Sequence, residues 1–175
     1  MDVETIKLIG QILGYIVTAC VIVNFQLKKR VHILIFSAVI NVLSALNILL
    51  VNELKFNSAV IICLVAVLQI LVSLWHEKKG TTESLIEKII FFVLYVGSGV
   101  IFFKSWLDIF SIVAAVLYMF AMLHKKEQNI RLFLLGNMSC WTAYHIIIHS
   151  SGVWAQVAGI TSSIIALFRY RKIKK

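Results

Sequence analysis

Seven apolar stretches account for nearly the whole chain and leave only short connections between them. They occupy residues 8–27, 33–51, 56–75, 86–103, 107–123, 130–148 and 153–170. A bilayer core about 30 Å thick is crossed by roughly 20 residues of helix, and most of the stretches are close to that length. Only the connection at 76–85 is longer than a few residues, which leaves no room for a domain outside the membrane. We therefore expect an all-α integral membrane protein with seven transmembrane helices, whose activity lies within the bundle.

The first three stretches resemble the last three. A basic connection, at 27–29 in the first unit and at 124–126 in the second, precedes a stretch that contains Asn41 or Asn137. Shifts of 96 to 98 residues bring the two units into register. The units begin at stretches one and five, which cross the membrane in the same direction because a fourth helix lies between them. The sequence therefore predicts two parallel triple-helix bundles joined by a spacer helix (3+1+3), an arrangement that usually forms a solute path between its halves.

The repeat divides the chain into three parts. We predict the first triple-helix bundle at 1–76, a linker with the spacer helix at 77–106, and the second bundle with a basic tail at 107–175. The spacer is the weakest span, because uninterrupted apolar character covers only 89–103 and Gly97-Ser98-Gly99 lies inside it. The sequence leaves open whether this helix crosses the membrane completely.

Basic residues are distributed unevenly between the two ends of such a bundle. The chain has 17 Lys and Arg against 8 Asp and Glu, and its net charge of +9 would by itself suit a nucleic-acid-binding protein. With seven spans, however, all the basic residues except Lys7, Lys55 and Lys104 fall on the side of the C-terminus. Basic residues mark the cytoplasmic side, so the N-terminus is predicted outside and the C-terminus in the cytoplasm. The expected partner is the lipid bilayer, and not a nucleic acid.

The sequence offers no group of residues suited to catalysis or metal binding. Cys20, Cys63 and Cys140 lie in different stretches, without the spacing of a disulfide framework or a zinc site. His145 and His149 are one helical turn apart and could bind metal or relay protons, but no acidic residue lies well inside any span to complete such a site. We expect no enzyme activity, no cofactor and no metal, and keep His145 as a candidate for the wall of a solute path.

Polar side chains inside the spans are the functional candidates, because they are costly in hydrocarbon unless they have a partner or face water. Asn41 shares a helix face with Ser37, and Asn137 shares one with Trp141 and His145 at i, i+4 spacing. Both Asn residues fall near the bilayer centre. Either Asn taken alone is better explained as a hydrogen-bonding contact between helices. The pair, matched in repeat and in depth, favours a symmetric polar pocket.

Aromatic side chains extend the predicted pocket. Trp141 lies at mid-span, away from the interfacial belt where tryptophan is usual, and could stack on a flat or sugar-like solute. The predicted substrate-binding residues are Asn41, Asn137, Trp141, Tyr144, His145, Tyr15, Ser37 and Tyr118. Tyr15 is included because helix one aligns it with Gln11. The glutamines at 11, 69 and 156 lie near span ends, where we expect them to reach lipid headgroups without a special role.

Helices six and seven carry the residues that connect the chain to a known family. The run Asn137-Met-Ser-Cys140-Trp141-Thr-Ala-Tyr144-His145, followed by Ser151-Gly152 and by Arg169 after the last span, resembles the YgjV family of bacterial inner-membrane proteins. More distantly, the 3+1+3 plan is similar to SWEET sugar transporters, PQ-loop proteins and PnuC-type transporters of vitamin precursors. The resemblance implies a location in the bacterial inner membrane and two triple-helix bundles packed around a central path.

Two functions from different classes fit these features. The first is a passive or ion-coupled carrier for a small neutral polar solute, sugar-like or vitamin-precursor-like, because no charged group lies deep in the spans. The second is a non-transporting scaffold or receptor of the inner membrane, in which the helices would be packed solid around the two Asn residues. The sequence does not decide between them, nor whether the protein forms homo-oligomers.

Overall fold

The computed structural model describes residues 2–27, 29–123 and 127–173, and within them the chain forms seven α-helices. Their bounds are α1 Val3–Gln26, α2 Arg30–Val51, α3 Ser58–Lys79, α4 Leu85–Ile101, α5 Asp108–Leu123, α6 Glu127–Ile147 and α7 Val153–Ile173. The all-helical fold predicted from the apolar stretches is confirmed. The basic connection at 124–126 lies outside the described residues.

Local sequence signals set the ends of α3 and α4. The Asn57 side chain accepts a hydrogen bond from the backbone N–H of Val60 and so caps the start of α3. Gly80 ends the same helix in the left-handed conformation, at φ 66°. Ser84 and Glu87 form a reciprocal capping box at the start of α4. Between these signals the connection from α3 to α4 is short and polar.

Helix α4 is continuous through its glycine-rich segment. Its 17 residues give a length of roughly 25 Å, somewhat less than the hydrocarbon core of a bilayer. Gly99 lies against Ile112 of α5, and a Cβ at this position would be 2.6 Å from Ile112 Cγ1. Gly97 has no such neighbour within 4 Å. The two glycines therefore do not break the helix, and Gly99 permits the close approach of α5.

Among the described residues, three helices are long and apolar enough to cross a membrane. These spans are Val3–Asn24, Val31–Val51 and Ser58–Lys79, with mean hydropathies of 2.0, 2.4 and 2.5. Asp108–Ala121 and Val153–Ile165 are shorter apolar segments. Large apolar side chains on the outside of the bundle, such as Ile86 and Ile101 of α4, are exposed. Such a surface suits lipid as its solvent.

Each helix packs against its neighbours in the chain. Helix α2 packs against α1 and α3, and helix α6 packs against α5 and α7. Helix α1 also contacts α7, α3 also contacts α5, and α4 packs against α3 and α5. Two buried apolar clusters lie inside, one around Ile48 and Tyr144 and the other around Tyr95 and Met119.

Hydrogen bonds join α1 and α2 to the turn between α6 and α7. Gln11 donates from Nε2 to the His149 carbonyl oxygen over 2.6 Å and accepts from the backbone N–H of Ser151 over 2.6 Å. Asn47 of α2 donates to the Gly10 carbonyl oxygen and accepts from the Ser150 hydroxyl. The expectation that Gln11 reaches lipid headgroups is wrong, because both ends of its amide bind this turn.

A second polar junction joins α3 to α5 at the same end of the bundle. Ser58 Oγ donates to Asp108 Oδ1 over 2.6 Å, and Asp108 Oδ2 accepts from the backbone N–H groups of Lys104 and Ser105. The Ser58 and Ser111 hydroxyls are 2.9 Å apart. Both junctions lie at the end where α1 begins, which we call the N-terminal end of the bundle.

Candidate functional site

A cavity of about 320 Å³, the central cavity, lies among all seven helices. Asn41 of α2 and Asn137 of α6 both line it. Its further polar and aromatic walls are Asn24, Ser37, Ser44, Tyr95, Tyr118, Trp141, His145 and Gln156. The two amides singled out by the repeat are thus in one space, although they are 96 residues apart in the sequence.

The lining of the central cavity is neutral. Among the described residues that form its wall there is no Asp, Glu, Lys or Arg, and the polar groups are amides, hydroxyls, an indole and an imidazole. Ligand sites typically have volumes of about 300 to 1,000 Å³ with apolar walls and a few convergent polar groups. The cavity has this composition and lies at the small end of that range.

Asn41 and Asn137 each use the amide N–H group for a structural bond. Asn41 Nδ2 donates to the Ser37 carbonyl oxygen of its own helix over 2.8 Å. Asn137 Nδ2 donates to the Ala114 carbonyl oxygen of α5 over 2.7 Å, so this bond does connect two helices. Neither Oδ1 atom has a hydrogen-bond partner among the described residues. Each amide therefore holds backbone with its nitrogen and leaves an acceptor at the cavity.

Asn24 is a cavity residue that reading the sequence missed. Its Nδ2 donates to the Ser37 hydroxyl over 3.2 Å, while its Oδ1 is buried without a partner. Asn24 continues the face of α1 that contains Gly10, Gly14 and Val17, all buried. A prediction that took Gly10 and Gly14, and not Gln11, as the inward face of α1 would have included Asn24.

Aromatic side chains form the wall on the side of α4, α5 and α6. The Tyr95 and Tyr118 rings pack edge to face with centroids 6.2 Å apart. Tyr95 donates its hydroxyl hydrogen to Gln69 Oε1 over 2.9 Å, and Gln69 is only 2% exposed. The expectation that Gln69 and Gln156 serve headgroups is wrong, because the first binds Tyr95 and the second lines the cavity.

His145 lies in the cavity wall at the side of the N-terminal end. It is 3% exposed, and its Nδ1 has no hydrogen-bond partner. The ring is tilted against Trp141 with centroids 6.1 Å apart. Gly152 makes room for it, since a Cβ there would be 2.6 Å from His145 Cε1. Trp141 and His145 thus stand together in the cavity, as their spacing on α6 predicts.

Tyr144 lies beside the central cavity and not in its wall. It is 1% exposed, and its ring packs edge to face on Trp141 with centroids 5.7 Å apart. Its phenolic oxygen accepts hydrogen bonds from Asn57 Nδ2 over 2.7 Å and from Asn52 Nδ2 over 3.3 Å. Tyr144 instead lines a second space of about 290 Å³ at the N-terminal end, which we call the end pocket.

Tyr15 is not brought to the site. It is 59% exposed and does not line the central cavity. The reason is the rotation of α1, which turns its glycine face inward. A Cβ at Gly14 would overlap Ser151 Oγ, so only glycine allows the turn between α6 and α7 to approach α1 this closely. Tyr15, one residue further on, is then directed away from the bundle.

The match to a known family covers nearly the whole chain. The family Imp-YgjV, described as bacterial inner membrane protein, matches residues 8–174. The chain belongs to this family. No curated protein and no solved structure matches the chain.

Membership in the YgjV family places this chain in the bacterial inner membrane. That location accounts for the exposed apolar side chains on the outside of the bundle, which would be unfavourable in water. The matched range also includes every residue of the central cavity and of the end pocket. Both spaces therefore lie within the part of the chain that the family model matches.

Proposed function

We propose that this inner-membrane protein is a carrier, passive or ion-coupled, for a small neutral polar solute that binds in the central cavity. The supporting observation is that one space joins Asn41 and Asn137 and has no charged side chain in its described wall. A charged solute would lose its hydration there without gaining an ion pair. A neutral solute would lose less and could donate hydrogen bonds to the free amide oxygens.

The proposed architecture is two triple-helix bundles, α1–α3 and α5–α7, joined by the spacer α4. The packing order supports it, because α2 and α6 are each the middle member of their group. If the two groups are exchanged, α1 takes the place of α5 and α7 takes the place of α3. The contact between α1 and α7 then corresponds to the contact between α5 and α3, and both contacts are present. This is the pattern expected from an axis of approximate two-fold symmetry, and the central cavity lies where such an axis would pass.

We also propose that the N-terminus is outside and the C-terminus cytoplasmic. The described basic residues of the N-terminal end are Lys7, Lys55 and Lys104, and those of the opposite end are more numerous. This asymmetry is the property on which the positive-inside rule rests. With this orientation the end pocket faces the outside and Asn24 lies toward the cytoplasm.

The walls indicate which solute would bind. Trp141 and Tyr118 present aromatic rings, which suit the flat or apolar face of a cyclic solute. The side-chain oxygens of Asn41 and Asn137 receive no hydrogen bond from a described residue and can accept one, so the solute should carry O–H or N–H donors. A sugar-like or vitamin-precursor-like molecule has both properties. No step of this proposal requires enzyme activity, a metal or a cofactor.

Uptake into proteoliposomes tests the proposal. A panel of neutral cyclic solutes, including monosaccharides and nucleosides, is assayed with the wild type and with Asn41→Ala and Asn137→Ala. Thr161→Ala is a matched control, because Thr161 is exposed on α7 and bonds only the Val157 carbonyl of its own helix. We expect flux with the wild type and the control and much lower flux with the Asn variants. Wild-type flux that neither Asn variant alters would refute the cavity site. A complete lack of flux and of solute binding would favour the scaffold or receptor alternative.

A further inference from the structure

Two spaces lie one above the other in the bundle. The central cavity reaches toward the N-terminal end as far as Ile48, Cys63 and His145. The end pocket begins beyond it. It is lined mainly by residues of the connections between α2 and α3 and between α4 and α5, together with Tyr144 of α6 and Ile148, which follows that helix. Ile48 lines only the cavity, and Tyr144 lines only the pocket.

The side chains between the two spaces are centred on Tyr144. The buried cluster that separates them consists of Ala45, Ile48, Ala59, Val60, Cys63 and Tyr144. Tyr144 is by far the largest of these side chains. One side of its ring meets Trp141, which is in the cavity wall, and its hydroxyl is in the end pocket. A rotation of this one side chain would remove most of the barrier between the spaces.

The hydrogen bonds that hold Tyr144 come from the other half of the bundle. Tyr144 belongs to α6, while Asn52 and Asn57 belong to the connection between α2 and α3. The same connection contains Glu53 and Leu54 at φ 56° and 62°, a left-handed conformation that non-glycine residues rarely adopt. Strained backbone of this kind is typical of segments that switch between conformations. A movement of this connection relative to α6 would stretch the Tyr144 bonds.

We propose that the end pocket is a second solute-binding chamber on the same path and that Tyr144 is the gate between it and the central cavity. This inference rests on the proposed function. The end pocket has two acidic and two basic side chains in its wall, Glu53, Asp108, Lys55 and Lys104, so its formal charges balance. It suits a polar solute without net charge that carries an oxygen acceptor, because the Asn52 and Asn57 amides that donate to Tyr144 also line it. A solute hydroxyl or carbonyl oxygen that accepts from these amides takes the place of the Tyr144 oxygen, breaks its hydrogen bonds and favours the open position of the ring.

Cys63 provides a reporter for this gate that needs no knowledge of the solute. It is 5% exposed, lies in the separating cluster and lines the central cavity, so it is directly behind Tyr144 as seen from the end pocket. Replacing Cys20 and Cys140 by Ser leaves Cys63 as the single thiol. A membrane-impermeant thiol reagent is then added to one side only. The correct side is identified with Lys55→Cys, because Lys55 is exposed and lines the end pocket. The reagent is added to the side from which this cysteine is modified.

Removal of the ring or of its hydrogen bonds should open the route to Cys63. Two variants keep the ring and remove its hydrogen bonds, namely Tyr144→Phe and the double mutant Asn52→Ala/Asn57→Ala. We expect each to raise the rate of Cys63 modification about tenfold, because the loss of one or two hydrogen bonds increases the population of the open ring position by about that factor. Tyr144→Ala should raise it further. Phe92→Ala is the control, because Phe92 is an exposed aromatic residue of α4.

The gate and the carrier function can fail separately. The gate would be overturned if the rate of Cys63 modification stayed at the wild-type value in all the folded variants. These are Tyr144→Phe, Tyr144→Ala and the double mutant Asn52→Ala/Asn57→Ala. This holds whether or not solutes are transported. Faster modification in these variants and not in Phe92→Ala supports the gate. Faster modification without uptake of any solute would keep the gate and refute the carrier.

Discussion

Asn57 donates a hydrogen bond to the phenolic oxygen of Tyr144 over 2.7 Å and so joins the connection between α2 and α3 to helix α6. The same amide caps α3, because its Oδ1 accepts from the backbone N–H of Val60. One side chain thus fixes both the start of a helix and the position of a buried aromatic ring 87 residues away. Its two functions can be separated by mutation.

Tyr144→Phe should lower the free energy of unfolding by about 1 kcal/mol, since it removes only hydrogen bonds and keeps the ring. Asn57→Ala should cost more, because the loss of the cap adds about 1 kcal/mol. Thermal unfolding in detergent measures both. In the double mutant the two losses should not add, because the shared bond is lost only once. Full additivity would show that the Asn57–Tyr144 bond contributes nothing.

Asn41→Ala and Asn137→Ala should differ in stability and agree in transport. The Asn137 bond joins α6 to α5, so its loss should cost about 0.6 kcal/mol, the average for a bond between membrane helices. The Asn41 bond stays within α2 and its loss should cost less. Both variants should lower solute uptake. If Asn137→Ala lowered stability and left uptake unchanged, its role would be that of a helix contact alone.

Gly14→Ala should destabilise the protein by about 1 to 3 kcal/mol, the range for overpacking a well-packed contact. Its Cβ would overlap Ser151 Oγ and force α1 away from the turn between α6 and α7. Gly97→Ala is the matched control, because nothing lies within 4 Å of the new Cβ. That change should be neutral or stabilise the helix by up to about 1 kcal/mol. Equal melting temperatures for the two variants would contradict the close contact.

Acid should weaken the link between α1 and the connection from α2 to α3. The hydrogen bond from Lys7 and then the one from Lys55 hold the pKa of Glu53 below its ordinary value of 4.5. A lowered folded-state pKa means that this stabilisation is present above pH 4.5 and is lost as the pH falls through the lowered value. The effect should be small and sensitive to salt, since the pair is exposed. The melting temperature of Glu53→Gln should vary less with pH in this range than that of the wild type. If the two proteins showed the same variation, the ion pairs of Glu53 with Lys7 and Lys55 would be excluded as its cause.

The sequence by itself determined the seven helices and the two amides of the cavity. A run of about 20 apolar residues has few alternatives to a helix, because every backbone N–H and C=O must be satisfied within the segment when water is absent. Asn41, Asn137 and Trp141 were predictable for a related reason. Polar or interfacial residue types at mid-span are unfavourable unless they face a partner or a water-filled space, so their presence marks an interior face.

Only the tertiary structure decided which face of each helix is inside. In this chain both the lipid-facing and the buried faces are apolar, so hydrophobic periodicity does not fix the rotation of a helix as it does in a soluble bundle. Tyr15 therefore could not be told from a cavity residue until Gly14 was seen against Ser151. Tyr144 and His145 are neighbours in sequence, yet 100° of helix rotation puts one in the end pocket and the other in the central cavity. Which of two adjacent side chains reaches which space depends on helix packing, and packing is set by contacts between residues far apart in the chain.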